Sequence, residues 1–201
     1  MLSYILHLDT LLFLLINNNF HFSMLNENMR AVTFLGNGWV VYWIVLLFVY
    51  IYNKQNFKQS FFLLLITQLV PGIFDIILKR LVNRPRPIVA MHKMIEQGTV
   101  HIDLLGRHLT EYSFPSGHST TAFSLAVAMA YFFPKHYKLF YILAAIVAFS
   151  RVYDGEHYPL DVIAGGILGY CFAKLTLIIY KKITKTSGYN FEKIKIADRD
   201  F

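Results

Sequence analysis

Apolar residues in this chain fall into long blocks rather than into alternation, and short polar clusters divide the blocks. Residues 39–52 (WVVYWIVLLFVYIY) carry no charge, and their aromatics suit the two surfaces of a bilayer. The basic stretch 53–59 follows, and then a second block, 60–79, with Pro71 and Gly72 inside it and Asp75 and Lys79 towards its end. After a long polar connection over 80–114, three further blocks run over 116–133, 139–152 and 159–180. Blocks of this length and apolarity predict membrane-crossing helices. Residues 4–17 are apolar too, but they are short and carry His7 and Asp9, which suits an interfacial or buried segment better than a span. Residues 18–37 are polar and end in a Gly36-Asn37-Gly38 turn.

The pattern predicts an all-α, polytopic transmembrane bundle. It has five clear spans, six if the N-terminal segment crosses, and otherwise a short N-terminal interfacial helix. Residues 1–185 read as one integral-membrane domain, followed by a polar tail over 186–201. Composition agrees: 56% of the 201 residues are hydrophobic and 15% charged, against ~45–50% and ~25% in soluble domains. That excludes a disordered chain and argues against an ordinary soluble enzyme. With Cys171 the single cysteine, an internal disulfide and a four-thiolate zinc site are also excluded. The first 29 residues hold no Lys or Arg, so the basic start of a cleavable signal peptide is missing.

The net charge of +7 needs a partner or a place. In a membrane protein it points to cytoplasmic loops and to an anionic substrate before it points to nucleic acid. Counting crossings puts 53–59, 135–138 and the tail on one side, and 80–114 and 152–158 on the other. Lys54, Lys58, Lys135 and Lys138 make the first side cytoplasmic by the positive-inside rule. The second side also carries Lys79, Arg80, Arg84, Arg86, Arg107 and Arg151. The charge rule is consistent only if that second set has another task.

Three short patterns supply one, all at block ends on that second side: Lys79 with Arg86-Pro87, Pro115-Ser116-Gly117-His118, and Ser150-Arg151 with His157 and Asp161. Arg presents a planar fork to phosphate oxygens, and Lys adds a point charge. Ser116 and Gly117 fall where a helix begins, and the free N–H groups of a helix start bind anions. His157 and Asp161 make a nucleophile with its orienting carboxylate, and His118 is placed to act as general acid and base. Singly, each pattern has a plainer reading: headgroup anchors, a turn, an ordinary hydrogen bond. Jointly they fix eleven residue types at set spacing.

KRLVNRPRP (79–87), PSGH (115–118) and SRVYDGEHYPLD (150–161) resemble the three signature motifs of the type 2 phosphatidic acid phosphatase family, which also includes the vanadium haloperoxidases. The resemblance spans about residues 60–175. It implies an all-helical core and metal-independent hydrolysis of phosphate esters through a phosphohistidine, with no cofactor. It implies His157 as nucleophile, Asp161 as its orienter and His118 as acid and base. Lys79, Arg86, Ser116, Gly117 and Arg151 are the implied phosphate ligands, and Ser150 of the third motif is grouped with them. Asp154 stands where an aliphatic residue is commoner in the family, and either pairs with a nearby cation or tunes selectivity.

Outside the motifs, Asp75 lies one turn before Lys79 and reads equally as its supporting partner or as a structural ion pair. Arg80, Arg84 and Arg107 either bind a second phosphate or anchor to headgroups, and Arg84 and Arg107 are, with Asp75, candidates for support behind the phosphate ligands. Spacings of nine and seven among His92, His101 and His108 match no common short metal-ligand pair. Gly165 and Gly169 form a small-residue face for helix packing. The expected protein is therefore a lipid phosphatase of a bacterial cytoplasmic membrane, with its site on the extracytoplasmic face and its C-terminus cytoplasmic. Undecaprenyl diphosphate and phosphatidylglycerol phosphate lead as substrates, with lipid A phosphate as the alternative. Its partners are then the lipid phosphate and membrane lipids, not nucleic acid, with the oligomeric state open. A non-catalytic lipid-phosphate binder or transporter is the reading from another class.

Overall fold

The computed structural model describes residues 1–19, 22–106 and 109–186. The polar tail and Arg107 and His108 lie outside the described residues. Among the described residues every regular element is helical. In chain order these are α1 (Leu2–Asn19), α2 (Ser23–Leu35), α3 (Gly38–Tyr52), α4 (Phe57–Val82), α5 (Pro87–Ala90), α6 (His92–Glu96), α7 (Gly117–Phe132), α8 (Tyr137–Tyr153) and α9 (Pro159–Thr186). The apolar blocks thus became α3, α4, α7, α8 and α9.

The stretch Lys54–Glu96, whose apolar part is α4, and Pro159–Lys185 in α9 are long and apolar enough to cross a membrane, with mean hydropathies of 2.2 and 2.0. At 15, 16 and 17 residues, α3, α7 and α8 are shorter than the ~20 residues of a typical span. Asn83 ends α4 in the left-handed conformation (φ 43°, ψ 45°), and its N–H bonds back to the Lys79 carbonyl at 2.9 Å. That cap, with Pro85 and Pro87 just beyond it, stops the helix and turns the chain outward.

α7 is the central helix, packed against α9, α8 and α4. Its contact with α9 is close because Gly165 and Gly169 face it. A Cβ at Gly165 would collide with the Ser116 carbonyl, and one at Gly169 with the Thr120 carbonyl. Away from the motifs, an apolar core of Val49, Leu63, Leu64, Val127, Phe132 and Ala173 joins α3, α4, α7 and α9. Nearer the motifs, a second core of Phe13, Met91, Ile102, Val152, Tyr158 and Val162 includes a residue of α1.

The polar stretch 18–37 differs from expectation, because much of it is the helix α2. No unbroken apolar block marks it, and its polar residues Asn26 and Thr33 face α8. Asn26 accepts a hydrogen bond from the Tyr153 hydroxyl at 2.7 Å, and Thr33, two turns on, donates to Asp154 at 2.5 Å. Asn17 fastens the end of α1 in the same manner. It is fully buried, donates to the Tyr153 and Asp103 carbonyls, and accepts from the Asp103 N–H.

Gly169→Val should lower the thermal stability of the detergent-solubilised protein by ~1–3 kcal/mol, because the new side chain meets α7 backbone. Gly72→Ala is the control: no described residue lies within 4 Å of its added carbon, and a helix interior favours Ala by ~1 kcal/mol.

Candidate active site

Four helix ends meet on one side of the bundle: the end of α4, the start of α7, the end of α8 and the start of α9. The Ser116 N–H donates to the Asp161 carbonyl at 2.9 Å, joining the starts of α7 and α9. The loop before α7 pairs with the chain after α4: Ser113 N–H donates to the Arg84 carbonyl at 2.9 Å, and Arg86 N–H to that of Thr110 at 3.2 Å. The turn after α8 needs Gly155, with φ 77°, where a Cβ would stand 2.7 Å from the Asp103 carbonyl. It folds Glu156 and His157 back, so that both their N–H groups donate to the Arg151 carbonyl.

Lys79 Nζ pairs with Asp75 at 2.8 Å and donates to the Pro115 carbonyl, which holds it against the start of α7. A Cβ on Gly117 would lie 3.5 Å from that ammonium and 3.3 Å from Asp75, so glycine lets the helix start approach the pair. Ser116 precedes α7 in an extended conformation without capping it by its side chain. Its buried hydroxyl has no hydrogen-bond partner among the described residues. No side chain thus caps the first-turn N–H groups of α7, and uncapped helix starts are the kind of place where anions bind.

Arg86 and Arg151 complete the positive side. Glu156, itself buried, joins them: its Oε2 lies 3.1 Å from Arg86 and accepts from Arg151 Nη2. Arg151 also pairs with Asp154 at 3.3 Å. His157 is 2% exposed, with Nε2 3.5 Å from Arg86 Nη1. On its other edge Nδ1 lies 3.5 Å from Ser113 Oγ and 3.8 Å from Asp161 Oδ2, the latter beyond hydrogen-bond length. Asp161 is fully buried; Oδ1 accepts from Arg84 at 2.6 Å, and Oδ2 from Ser113 at 2.5 Å and from the Tyr158 N–H at 3.0 Å. His118 is half-buried at the start of α7, within the fields of Arg151, His157, Lys79 and Arg86.

Burial, assisted by the charges of Arg86 and Arg151 and opposed by Asp161, pushes the His157 imidazole down from 6.5 to about 4. The ring is therefore neutral at pH 7, as a nucleophile must be. Burial alone would raise the Glu156 carboxyl, but Arg151 and Arg86 outweigh it and hold the group below its usual 4.5.

Lys79, Arg86, Ser116, Gly117, His118, Arg151, His157, Asp161 and Asp75 are thus gathered at one end. Two expectations need correction. The Ser150 hydroxyl donates to the Val147 carbonyl at 2.8 Å and lies 3.0 Å from the Thr33 hydroxyl, so it packs α8 against α2 and is not turned to an anion. Arg84 is not free for a second phosphate, because its fork is divided between Asp161 and Asp9, a placement that agrees with its other reading as a supporting residue behind the site. Arg107 lies outside the described residues. Asp154 takes the first of its two readings, pairing with a cation.

Sequence reasoning missed Ser113, Glu156 and Asp9. No spacing signal marks Ser113 or Glu156. A carboxylate inside an apolar segment is a signal for Asp9. Among the described residues no group of three or more His, Cys, Asp or Glu is placed to hold a metal ion.

The family model of the PAP2 superfamily matches residues 59–185. The lipid A 1-phosphatase of Rhizobium etli is 36% identical over 116 residues, covering 58% of this chain and 48% of that one. Phosphatidylglycerophosphatase B of Bacillus subtilis is 31% identical over 157 residues, covering 72% and 70%. The chain spans about half the length of the lipid A 1-phosphatases it matches. Among solved structures, LpxE of Aquifex aeolicus superposes with a TM-score of 0.71 at 28% identity, covering 83% of this chain and 93% of that one.

Glu156 and His157 set an acid response of one sign. Charged Glu156 stabilises the fold above about 4.5, and that contribution is lost as pH falls through its lower folded value. Below 6.5 the unfolded chain takes up a proton on His157 that the folded one refuses until about 4. Thermal unfolding temperature should therefore fall as pH drops from 6.5 to 4. His157→Gln should flatten that decline. Glu156→Gln should lower stability at pH 7 by ~1–3 kcal/mol, by weakening the support of two buried arginines.

Proposed function

Because the chain belongs to the PAP2 superfamily, we propose that it is a membrane-bound lipid phosphate phosphatase that works without a metal through a phosphohistidine. The observation that carries this reading is the placement of His157. A neutral, buried imidazole presents Nε2 beside Arg86, while its other edge faces Asp161 and Ser113.

Lys79, Arg86, Arg151, the Ser116 hydroxyl and the first N–H groups of α7 hold the phosphate. His157 Nε2 attacks phosphorus in line with the leaving oxygen. The P–O bond breaks as the N–P bond forms, and His118 gives its proton to the departing alkoxide or phosphate. Asp161 stabilises the charge that develops on the imidazole. Neutral His118 then takes a proton from water, whose oxygen attacks phosphorus. Inorganic phosphate is released and His157 restored.

A lipid suits the surroundings. A groove of about 590 Å³ lies beside the site, lined by Ile16, Phe123, Phe149, Val152, Pro159 and Val162, among others. Val162 is the neighbour of Asp161, so a hydrocarbon tail laid between α8 and α9 ends beside the phosphate cage. In this reading α3, α4, α7, α8 and α9 are the five spans, the site faces the extracytoplasmic side of a bacterial cytoplasmic membrane, and the C-terminus is cytoplasmic. Residues 1–185 act as one domain. Undecaprenyl diphosphate and phosphatidylglycerol phosphate are the leading substrates and lipid A phosphate the alternative. The engagement of Arg84 removes one argument for the diphosphate.

The test is phosphate release by purified protein in excess EDTA, over a panel of undecaprenyl diphosphate, phosphatidylglycerol phosphate, phosphatidic acid and lipid A. Release that survives EDTA and disappears in His157→Ala is expected. Binding without release in the wild type would favour the lipid-phosphate binder instead. Vanadate should compete with substrate. His118→Ala should lower kcat by about 10²–10⁴-fold. The acid limb of kcat/KM that belongs to His157 should lie near 4 rather than 6.5.

A further inference from the structure

We propose that Asp9, on the N-terminal helix, is a positioning residue for catalysis: through Arg84 and the start of α9 it fixes the carboxylate of Asp161 and so the ring of His157. This rests on the phosphatase reading above. Asp9 lies well outside residues 59–185, so the family match assigns it nothing.

Asp9 is a 2% exposed carboxylate on a helix of mainly apolar residues. A buried charge persists only with close partners. Both of its oxygens have one, and both partners lead to the same place. Oδ2 pairs with Arg84 Nη2 at 2.7 Å, and Oδ1 accepts the Leu160 N–H at 2.8 Å, one residue before Asp161. Asp9 thus receives an open N–H at the first turn of α9 while it holds the arginine that binds the Asp161 side chain.

Arg84 is a two-way connector. Nη2 goes to Asp9, and Nη1 goes to Asp161 Oδ1 at 2.6 Å. The guanidinium lies 3.9 Å over the Tyr158 ring, which fixes the plane of the fork. With Ser113 and the Tyr158 N–H on Oδ2, the Asp161 carboxylate is held on every side except the one that faces His157 Nδ1. Two consequences follow from losing the Asp9 charge. Arg84 keeps a full positive charge with one carboxylate in place of two, so it draws Asp161 more strongly. Its freed Nη2 can also turn to Asp161 and rotate that carboxylate away from His157. Each weakens the support that Asp161 gives the imidazole, and neither touches the residues that bind phosphate. The expected signature is a loss in turnover without a loss in binding.

Asp9→Asn is the main test, because its side-chain oxygen still accepts from Leu160. Activity of the full chain in detergent should show kcat lowered by about 10–100-fold, with KM and the vanadate inhibition constant within about threefold of wild type. Asn17→Ala is the control. It loosens the far end of α1 from Asp103 and Tyr153, and it should lower thermal stability while leaving kcat unchanged. Equal losses of kcat in Asn17→Ala and Asp9→Asn would overturn the proposal, since α1 docking alone would then explain both. Should Asp9→Asn fail to fold, Asp9→Glu keeps the buried charge and displaces it by one methylene. A fall in kcat of at least about threefold at constant KM is then expected, and wild-type kcat would overturn the proposal. The two readings fail separately. Wild-type protein that releases no more phosphate than His157→Ala sinks the phosphatase reading, whereas an active wild type with indifferent Asp9 variants sinks only this one.

Discussion

The fully buried Asp161 carboxylate ties the site end of the molecule together. Its two oxygens engage the chain after α4 through Arg84, the loop before α7 through Ser113, and the turn into α9 through the Tyr158 N–H. Its own carbonyl receives the Ser116 N–H at the start of α7. A charge in so enclosed a place is stable only if its hydrogen bonds are made with good geometry. That requirement specifies where α4 must end and where α7 and α9 must begin, and His157 stands four residues before Asp161.

The same constraint explains the pairing of charges around it. Lys79 has Asp75, Arg151 has Asp154 and Glu156, Arg86 has Glu156, and Arg84 has Asp9 and Asp161. Such pairs add little net stability, because desolvation offsets most of the attraction. Their contribution is orientation. The cations at this end are already aimed by carboxylates behind or beside them, next to a helix start that carries no side-chain cap. The small-residue face of α9 serves the same end, because only Gly165 and Gly169 let α7 come close enough for Ser116 to bond to Asp161.

Helix packing and chemistry are therefore separated along the bundle axis. One core, built on Val49, Leu63, Val127 and Phe132, holds α3, α4, α7 and α9 together away from the motifs. The other, with Phe13, Met91, Val152 and Tyr158, seats α1 and the long loop over the site end. Polar contacts finish that seating: Asn17 grips Asp103 and Tyr153, and Asn26 and Thr33 grip the end of α8.

By itself, the sequence determined the helical class, the five apolar helices and the three motifs whose residues gather at one end. Those features are written in local terms: block length, residue type and spacing within a few turns. The residues of 18–37 were illegible as a helix from block length, because Asn26, Glu27, Asn28, Arg30 and Thr33 interrupt the apolar residues of α2 along the chain. Ser150 and Arg84 carry the right chemistry for a phosphate, yet the tertiary structure gives one to Thr33 and the other to Asp9 and Asp161. Glu156, Ser113 and Asp9 joined the site only on folding, each across a long stretch of chain or around a turn. A side chain's type fixes what it can bond, but which of several possible partners it takes depends on which backbone segments share the same few ångströms. In this protein the need to neutralise buried charge decided that choice.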